Sequence, residues 1–208
     1  ASSSHGNAGV NSGAPPSLHA VVLAAGASTR FGSPKQLVRF EGQLLLHRAL
    51  AAAAEAAAAV TVVLGAHAAE IAAILPPSRV SVLVNRDWEE GIASSLRAAV
   101  RALPGACDGV LVMLADQPLV VASSLILLAS TWRSRPRQII ASRYGSVIGV
   151  PAIFPRWCFN DLCGLRGDQG ARALISHYAD HVQAIPLPEA AIDIDQPEDL
   201  LNLSAYKA

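Results

Sequence analysis

Residues 20–35 read AVVLAAGASTRFGSPK: an apolar run rich in β-branched residues stops at Ala24-Ala25-Gly26-Ala27-Ser28, and two cations, Arg30 and Lys35, follow at once. Unbroken apolar character fits a strand covered by helices on both faces. Small residues directly after it let backbone N–H groups approach an anion closely. In a parallel α/β sheet, ligands gather at the carboxyl end of such a strand. The stretch therefore predicts a strand followed by a polyphosphate cradle, with backbone N–H groups at 24–28 approaching the anion and Arg30 and Lys35 as cations. It contains neither GxxxxGK[ST] nor GxGxxG, so a P-loop and a Rossmann dinucleotide site both fit poorly. A plain strand-to-helix turn with solvated charges is the competing reading for Arg30.

Outward from this stretch the same rhythm repeats. Apolar strands are expected at 20–24, 60–64, 80–84, 110–114 and 139–141, with helices near 44–59, 68–75, 94–103 and 123–134. Strand alternating with helix is the pattern of βαβ units, so the fold class expected is three-layer α/β/α with a mostly parallel, Rossmann-like central sheet. After about Ser142 the rhythm weakens: 144–154 carries turn-forming Gly and Pro, then come an aromatic-rich stretch, a glycine-punctuated loop at 164–170 and a helix at 171–178. Residues 143–185 read as an insertion forming the acceptor side of a single domain, 18–208. The segments 182–185 and 192–194 and a helix begun by Pro197 are expected to return to the sheet edge. Residues 1–17, built from Ser, Gly, Asn, Ala and Pro, read as a disordered lead.

Composition excludes several classes. Of the 208 residues 52% are apolar, which excludes intrinsic disorder, and the formal net charge of zero argues against a nucleic-acid binder. The alanine-rich stretch 44–74 is interrupted by Arg48, Glu55 and Glu70, so no membrane span is expected. Cys107, Cys158 and Cys163 are too few and too irregular for a disulfide framework, and a reduced cytoplasmic setting is expected. Lys+Arg total 16, of which only Lys35 and Lys207 are lysine; the other 14 are arginine. A chain that uses arginine almost everywhere keeps a compact, flexible ammonium at 35, which suits a point charge on phosphate oxygens better than a planar fork does.

A second segment, Val110 to Pro118, ends a buried strand on Asp116, placed to hold a divalent cation at the same sheet edge. Helix capping competes, although Gln117–Ala122 separate Asp116 from the helix. In Asn85–Arg97, Ser94 and Ser95 suit either a base contact or a helix cap. In Gly164–Arg172, Asp168 and Arg172 lie at a helix start that suits a phosphate, with Asp168 as a cap the alternative. The histidines join no nucleophile motif. A phosphate acceptor needs none, because in-line attack by an ionised phosphate requires positioning and charge neutralisation.

Taken together, LAAGASTRFGSPKQL (23–37), GIASSLR (91–97), LADQPLV (114–120), GVPAIF (149–154), GDQGAR (167–172) and DIDQPEDL (193–200) resemble the nucleotidyltransferases of molybdenum cofactor maturation, most closely the cytidylyltransferases. The resemblance spans nearly all of the chain after residue 20. It implies a nucleotide-diphospho-sugar transferase type of fold and transfer of CMP from CTP to the terminal phosphate of Mo-molybdopterin, with Mg²⁺ and release of pyrophosphate. Arg30, Lys35 and Asp116 would be catalytic. Leu23 to Gly26, Ser28, Asn85, Ser94 and Ser95 would bind nucleotide, and Asp168, Arg172 and Asp195 the acceptor; Asp116 and Asp193 would hold the metal. LAAG, with Ala25 where guanylyl-transferring relatives have a second glycine, points to the cytidylyl branch. A molybdenum hydroxylase receiving the product is the implied partner. Alternatives are a GTP-dependent enzyme of the same family, a cytidylyltransferase for another phosphate acceptor, and a cofactor carrier without turnover.

Overall fold

Every residue of β1 (Leu18–Ala24) is buried, His19 included, as expected for a largely apolar strand covered on both faces. The computed structural model describes residues 14–75 and 80–203, apart from the side chains of Leu201 and Asn202. After β1 come β2 (Arg39–Phe40), β3 (Gln43–Leu44), α1 (Leu45–Ala56), β4 (Ala59–Leu64), α2 (Ala68–Ala73), β5 (Val80–Val84), α3 (Ile92–Arg101) and β6 (Gly109–Leu114). The chain continues through α4 (Ala122–Ser134), β7 (Ile139–Tyr144), β8 (Val147–Pro155), α5 (Phe159–Gly164), α6 (Arg172–His177), β9 (Val182–Pro186) and α7 (Pro197–Leu203).

Seven strands form one sheet in the order β5-β4-β1-β6-β8-β7-β9, and β2 and β3 form a separate hairpin. β1 pairs in parallel with β4 on one side and β6 on the other, Val22 facing Val62 and Met113. The chain winds outward from β1 to β5 and then crosses back to β6, so the strand order reverses beside β1. That reversal leaves a crevice at the carboxyl ends of β1 and β6, the place where open α/β sheets bind ligands.

Alternation along β1 feeds two cores. Ala20, Val22 and Ala24 pack beneath α1, α2 and α4, whereas Val21 and Leu23 pack beneath α3, α5 and α6. This is the expected three-layer α/β/α class. A third cluster, Leu45, Ile194 and Leu203 with Phe31, Val38, Phe40, Leu119, Ile192 and Leu200 against it, pins the loop after β1 to the carboxyl-terminal segment.

Three expectations need correction. Residues 144–154 are mostly strand: β8 runs antiparallel to both β6 and β7, so the expected insertion contributes two strands of the main sheet. Gly149 lies inside β8 because the Tyr144 hydroxyl occupies its flank, 2.4 Å from where a Cβ would stand. Residues 192–194 form no strand; Ile194 is fully buried and its N–H donates to the Asp116 carbonyl at 2.9 Å. Of the expected lead, residues 1–13 lie outside the described residues, while the Ser17 N–H donates to Asp108 Oδ2 at 2.8 Å and its carbonyl accepts from Asp108 and Gly109. Among the described residues no helix is long and apolar enough to cross a membrane.

Candidate active site

The two loops that carry charge leave adjacent strand ends, since Leu23 and Leu114 are register partners. In the first loop Ser28 adopts a left-handed backbone (φ 54°) and its carbonyl accepts from Phe31 and Gly32 N–H at 2.9 and 3.2 Å. The Ser28 hydroxyl accepts from the Lys35 N–H at 3.1 Å. Gln36, only 2% exposed, donates its amide to the carbonyls of Ala24 (2.9 Å) and Gly26 (3.2 Å). These bonds fold the loop back onto the end of β1 and bring Lys35 to the crevice.

There the Lys35 ammonium pairs with Asp116 and lies 3.1 Å from Asp195 Oδ1, and Arg30 Nη2 is 3.2 Å from Asp195 Oδ2. Burial works against the Lys35 charge, but Asp116 and Asp195 outweigh it and raise its pKa above the ordinary lysine value. Asp193 joins the cluster: desolvation, then the negative charges of Asp116 and Asp195, push its carboxyl up to about 6. Asp199 accepts the N–H groups of Asp195 and Gln196, both at 2.8 Å, fixing the turn that carries Asp195 into α7. The hydrophobic cluster of Leu45 and Ile194 lies under both charged segments.

Beside the charges opens a cavity of about 400 Å³ lined by Leu23, Ala24, Ala25, Gly26, Lys35, Gln36, Trp88, Glu89, Gly91, Ile92, Ser95, Leu114, Ala115, Asp116 and Asp168. This is within the usual range for small-molecule sites. Of the residues singled out from sequence, Leu23 to Gly26, Lys35, Ser95, Asp116 and Asp168 line it. Arg30 stands outside the lining with its side chain 69% exposed. Ser28 shapes the loop instead of lining the cavity. Asn85 and Ser94 lie behind the wall: Asn85 donates to Ser94 Oγ (2.8 Å) and Ser95 Oγ (3.0 Å), and Ser94 donates to the Gly91 carbonyl at 2.8 Å. Arg172 is exposed and, with Asp193, acts electrostatically on Tyr144, away from the lining.

The capping alternatives do not hold. The N-cap residues of α3, α4 and α6 are Gly91, Val121 and Ala171, none making a side-chain cap bond, so Ser94, Ser95, Asp116 and Asp168 are left for other roles. Sequence reasoning missed Gln36, Trp88 and Glu89. Gln36 had a signal, a polar residue between the loop's lysine and an apolar run; the others had none.

The donor set fits a hard divalent cation. Asp116 Oδ1 is buried and has no hydrogen-bond partner among the described residues, and Asp193 supplies a second carboxylate nearby. No cluster of three or more His, Cys, Asp or Glu suited to a metal forms among the described residues. An ion bound by two carboxylates takes its remaining oxygens from phosphates and water, the usual habit of Mg²⁺.

Residues 20–182 match the MobA-like NTP transferase domain. The chain belongs to this nucleotidyltransferase family. It is 31% identical over 202 residues to nicotine blue oxidoreductase of Paenarthrobacter nicotinovorans, covering 90% of this chain and 97% of that protein. A probable molybdenum cofactor guanylyltransferase of Rhodopirellula baltica is 28% identical over 90% of this chain and 92% of its own length. Among solved structures, Rv0371c of Mycobacterium tuberculosis superposes with a TM-score of 0.79 at 30% identity, covering 91% of this chain and 98% of that one. The same protein has been solved in complex with manganese, with a TM-score of 0.75 at 30% identity over 90% of this chain and 97% of that one. Identity is higher, 43% over 119 residues, to the bifunctional protein GlmU of Xanthobacter autotrophicus, but the match covers 54% of this chain and spans only 26% of that protein.

Proposed function

We propose that this nucleotidyltransferase transfers CMP from CTP to the terminal phosphate of Mo-molybdopterin, giving the cytosine dinucleotide and pyrophosphate, with Mg²⁺ as its cofactor. The observation that carries the reading is the Lys35–Asp116–Asp195–Arg30 cluster at the mouth of a cavity formed where β1 and β6 end. The acceptor phosphate is ionised before it attacks, so the protein's task is to align it with the α-phosphate and neutralise charge. Small residues at 24–26 leave backbone room for the nucleotide, and Lys35 faces the departing pyrophosphate. Asp116 and Asp193 would hold the metal, which when bound would supply positive charge to neutralise the phosphates; that a mycobacterial relative has been solved in complex with manganese supports a divalent ion as the cofactor. Asp168, on the cavity wall, serves the acceptor side.

The choice of molybdopterin rests on the sequence motifs and on the Rhodopirellula relative. Cytidine rests on Ala25, and that relative's name supports GTP as the second reading. The reaction belongs in the cytoplasm, with a molybdenum hydroxylase receiving the product. Pyrophosphate release measured with each of the four nucleoside triphosphates, with and without Mo-molybdopterin, tests all of this. Release only with CTP and the cofactor is expected. GTP preference moves the assignment to the guanylyl branch, and binding without release makes the protein a carrier.

A further inference from the structure

Arg97 lies on α3, outside the cavity, with its side chain only 13% exposed. Its two terminal nitrogens part company: Nη1 donates to the Leu165 carbonyl at 2.9 Å and Nη2 to Glu90 Oε2 at 2.5 Å. Glu90 ends the 3₁₀ turn that carries Trp88 and Glu89 on the cavity wall, and Leu165 opens the loop that carries Asp168, which also lines it. The two segments also meet through backbone. The Ala93 N–H donates to the Gly167 carbonyl at 3.0 Å, and a Cβ on Gly91 (φ 112°) would lie 2.4 Å from that carbonyl oxygen and 2.6 Å from Asp168 Oδ1. Hydrogen bonding to Arg97 first, and a weaker contribution from the Gly167 N–H, hold the Glu90 carboxyl below the usual carboxylate range.

Resting on the transferase reading above, we propose that Arg97 is a positioning residue that clamps the 165–168 loop against the 88–91 turn and so sets where Asp168 meets the acceptor. Beyond the short 3₁₀ turn at 88–90 neither segment has a helix or strand at this point, and the Arg97 contact to the loop ends on a backbone carbonyl, which no other loop side chain supplies. The guanidinium is suited to the task because one rigid fork reaches a carbonyl and a carboxylate at once; an ammonium does not span both with fixed geometry.

The test is a kinetic split. With Mg²⁺, CTP and Mo-molybdopterin, Arg97→Gln and Gly91→Ala are each expected to raise KM for the acceptor roughly tenfold while kcat changes by less than about threefold, since displacement of a binding group costs affinity before chemistry. Arg97→Lys should recover part of the loss. A fall in kcat that tracks the folded fraction, with KM unchanged, overturns the proposal. Hydrogen exchange of the amides at 165–168 gives a second readout that needs no substrate: Arg97→Gln should speed exchange there and leave β1 and β6 unchanged, and unchanged exchange in the loop also overturns it. Should the wild type release no pyrophosphate with any nucleoside triphosphate, the transferase reading fails, while the exchange measurement still decides whether Arg97 clamps the loop.

Discussion

Lys35 and Asp195 illustrate how the site's charges are shared before any substrate arrives. Lys35 was legible in the sequence because it departs from an arginine-dominated composition, and its position on Asp116 explains the choice: one ammonium reaches two carboxylates and still has a third donor. Lys35→Ala and Asp116→Ala should each lower turnover about 10²-fold or more, the usual effect of deleting a preorganised charge-stabilising group. Lys35→Arg is the sharper probe, because charge survives and only geometry changes; turnover close to wild type would remove the point-charge role from Lys35. Asp195 offers one oxygen to Lys35 and the other to Arg30, so its carboxylate occupies the two cations that a polyphosphate needs. Asp195→Asn should therefore tighten binding of inorganic pyrophosphate by several-fold, because a half-exposed pair of this kind is worth about 1 kcal/mol or less. Calorimetric titration without metal reads this directly, and weaker binding in the variant would show instead that Asp195 helps to hold the anion.

At the scale of elements, what could be read from sequence divides by the range of the interactions involved. Helices α1, α3 and α4 and strands β1, β4, β5 and β6 follow from local apolar periodicity, and so they were expected close to where they lie. β8 was not, because its Gly149 and Pro151 are turn-formers by local rules and are tolerated only through its neighbours: the Tyr144 ring needs the space at Gly149, and the register shifts between Ala141 and Ser142 opposite. The end of β4 shows the same dependence on a distant partner. A Cβ on Gly65 would stand 2.6 Å from both the Ala25 carbonyl oxygen and Trp88 Cβ, two groups that cannot rotate away. Gly65→Ala is expected to cost about 1–3 kcal/mol by overpacking, read from urea unfolding. Ala25 and Trp88 line the cavity, so nucleotide affinity should fall in the same variant. An unchanged urea midpoint would mean that this end of β4 yields more easily than its packing indicates.

For the whole molecule, the α/β/α layering and the crevice between β1 and β6 were expected from the alternating pattern, whereas the gathering of residues 193–195 onto Lys35 depends on a buried cluster, Leu45 with Ile194 and Leu203, that joins segments about 150 residues apart in sequence and leaves no local trace. Two groups, one on β1 and one in this charged cluster, make stability depend on pH in opposite senses. His19 on β1 is 8% exposed, its Nε2 shares a 2.8 Å hydrogen bond with Thr61 Oγ1 on β4, and burial lowers its pKa below the usual 6.5. The unfolded chain thus takes up this proton first as pH falls, and the stability His19 contributes is lost from about pH 6.5 downward. Asp193 does the reverse: its carboxyl, at about 6 in the folded protein, binds a proton before the unfolded chain does, so its unfavourable charge is relieved as pH falls from about 6 toward 4. Glu90 and Asp199, whose carboxyls are held below the usual range, act only near pH 4 and lower. In metal-free buffer between pH 7.5 and 5, His19→Gln should therefore remove the acid-side loss of Tm and leave a rise driven by Asp193, while Asp193→Asn should raise Tm at pH 7.5 and steepen the loss on acidification. Parallel Tm profiles for wild type and His19→Gln across that range would show that His19 takes up its proton in the folded protein as readily as in the unfolded chain, and that the β1–β4 hydrogen bond does not depend on its neutral form.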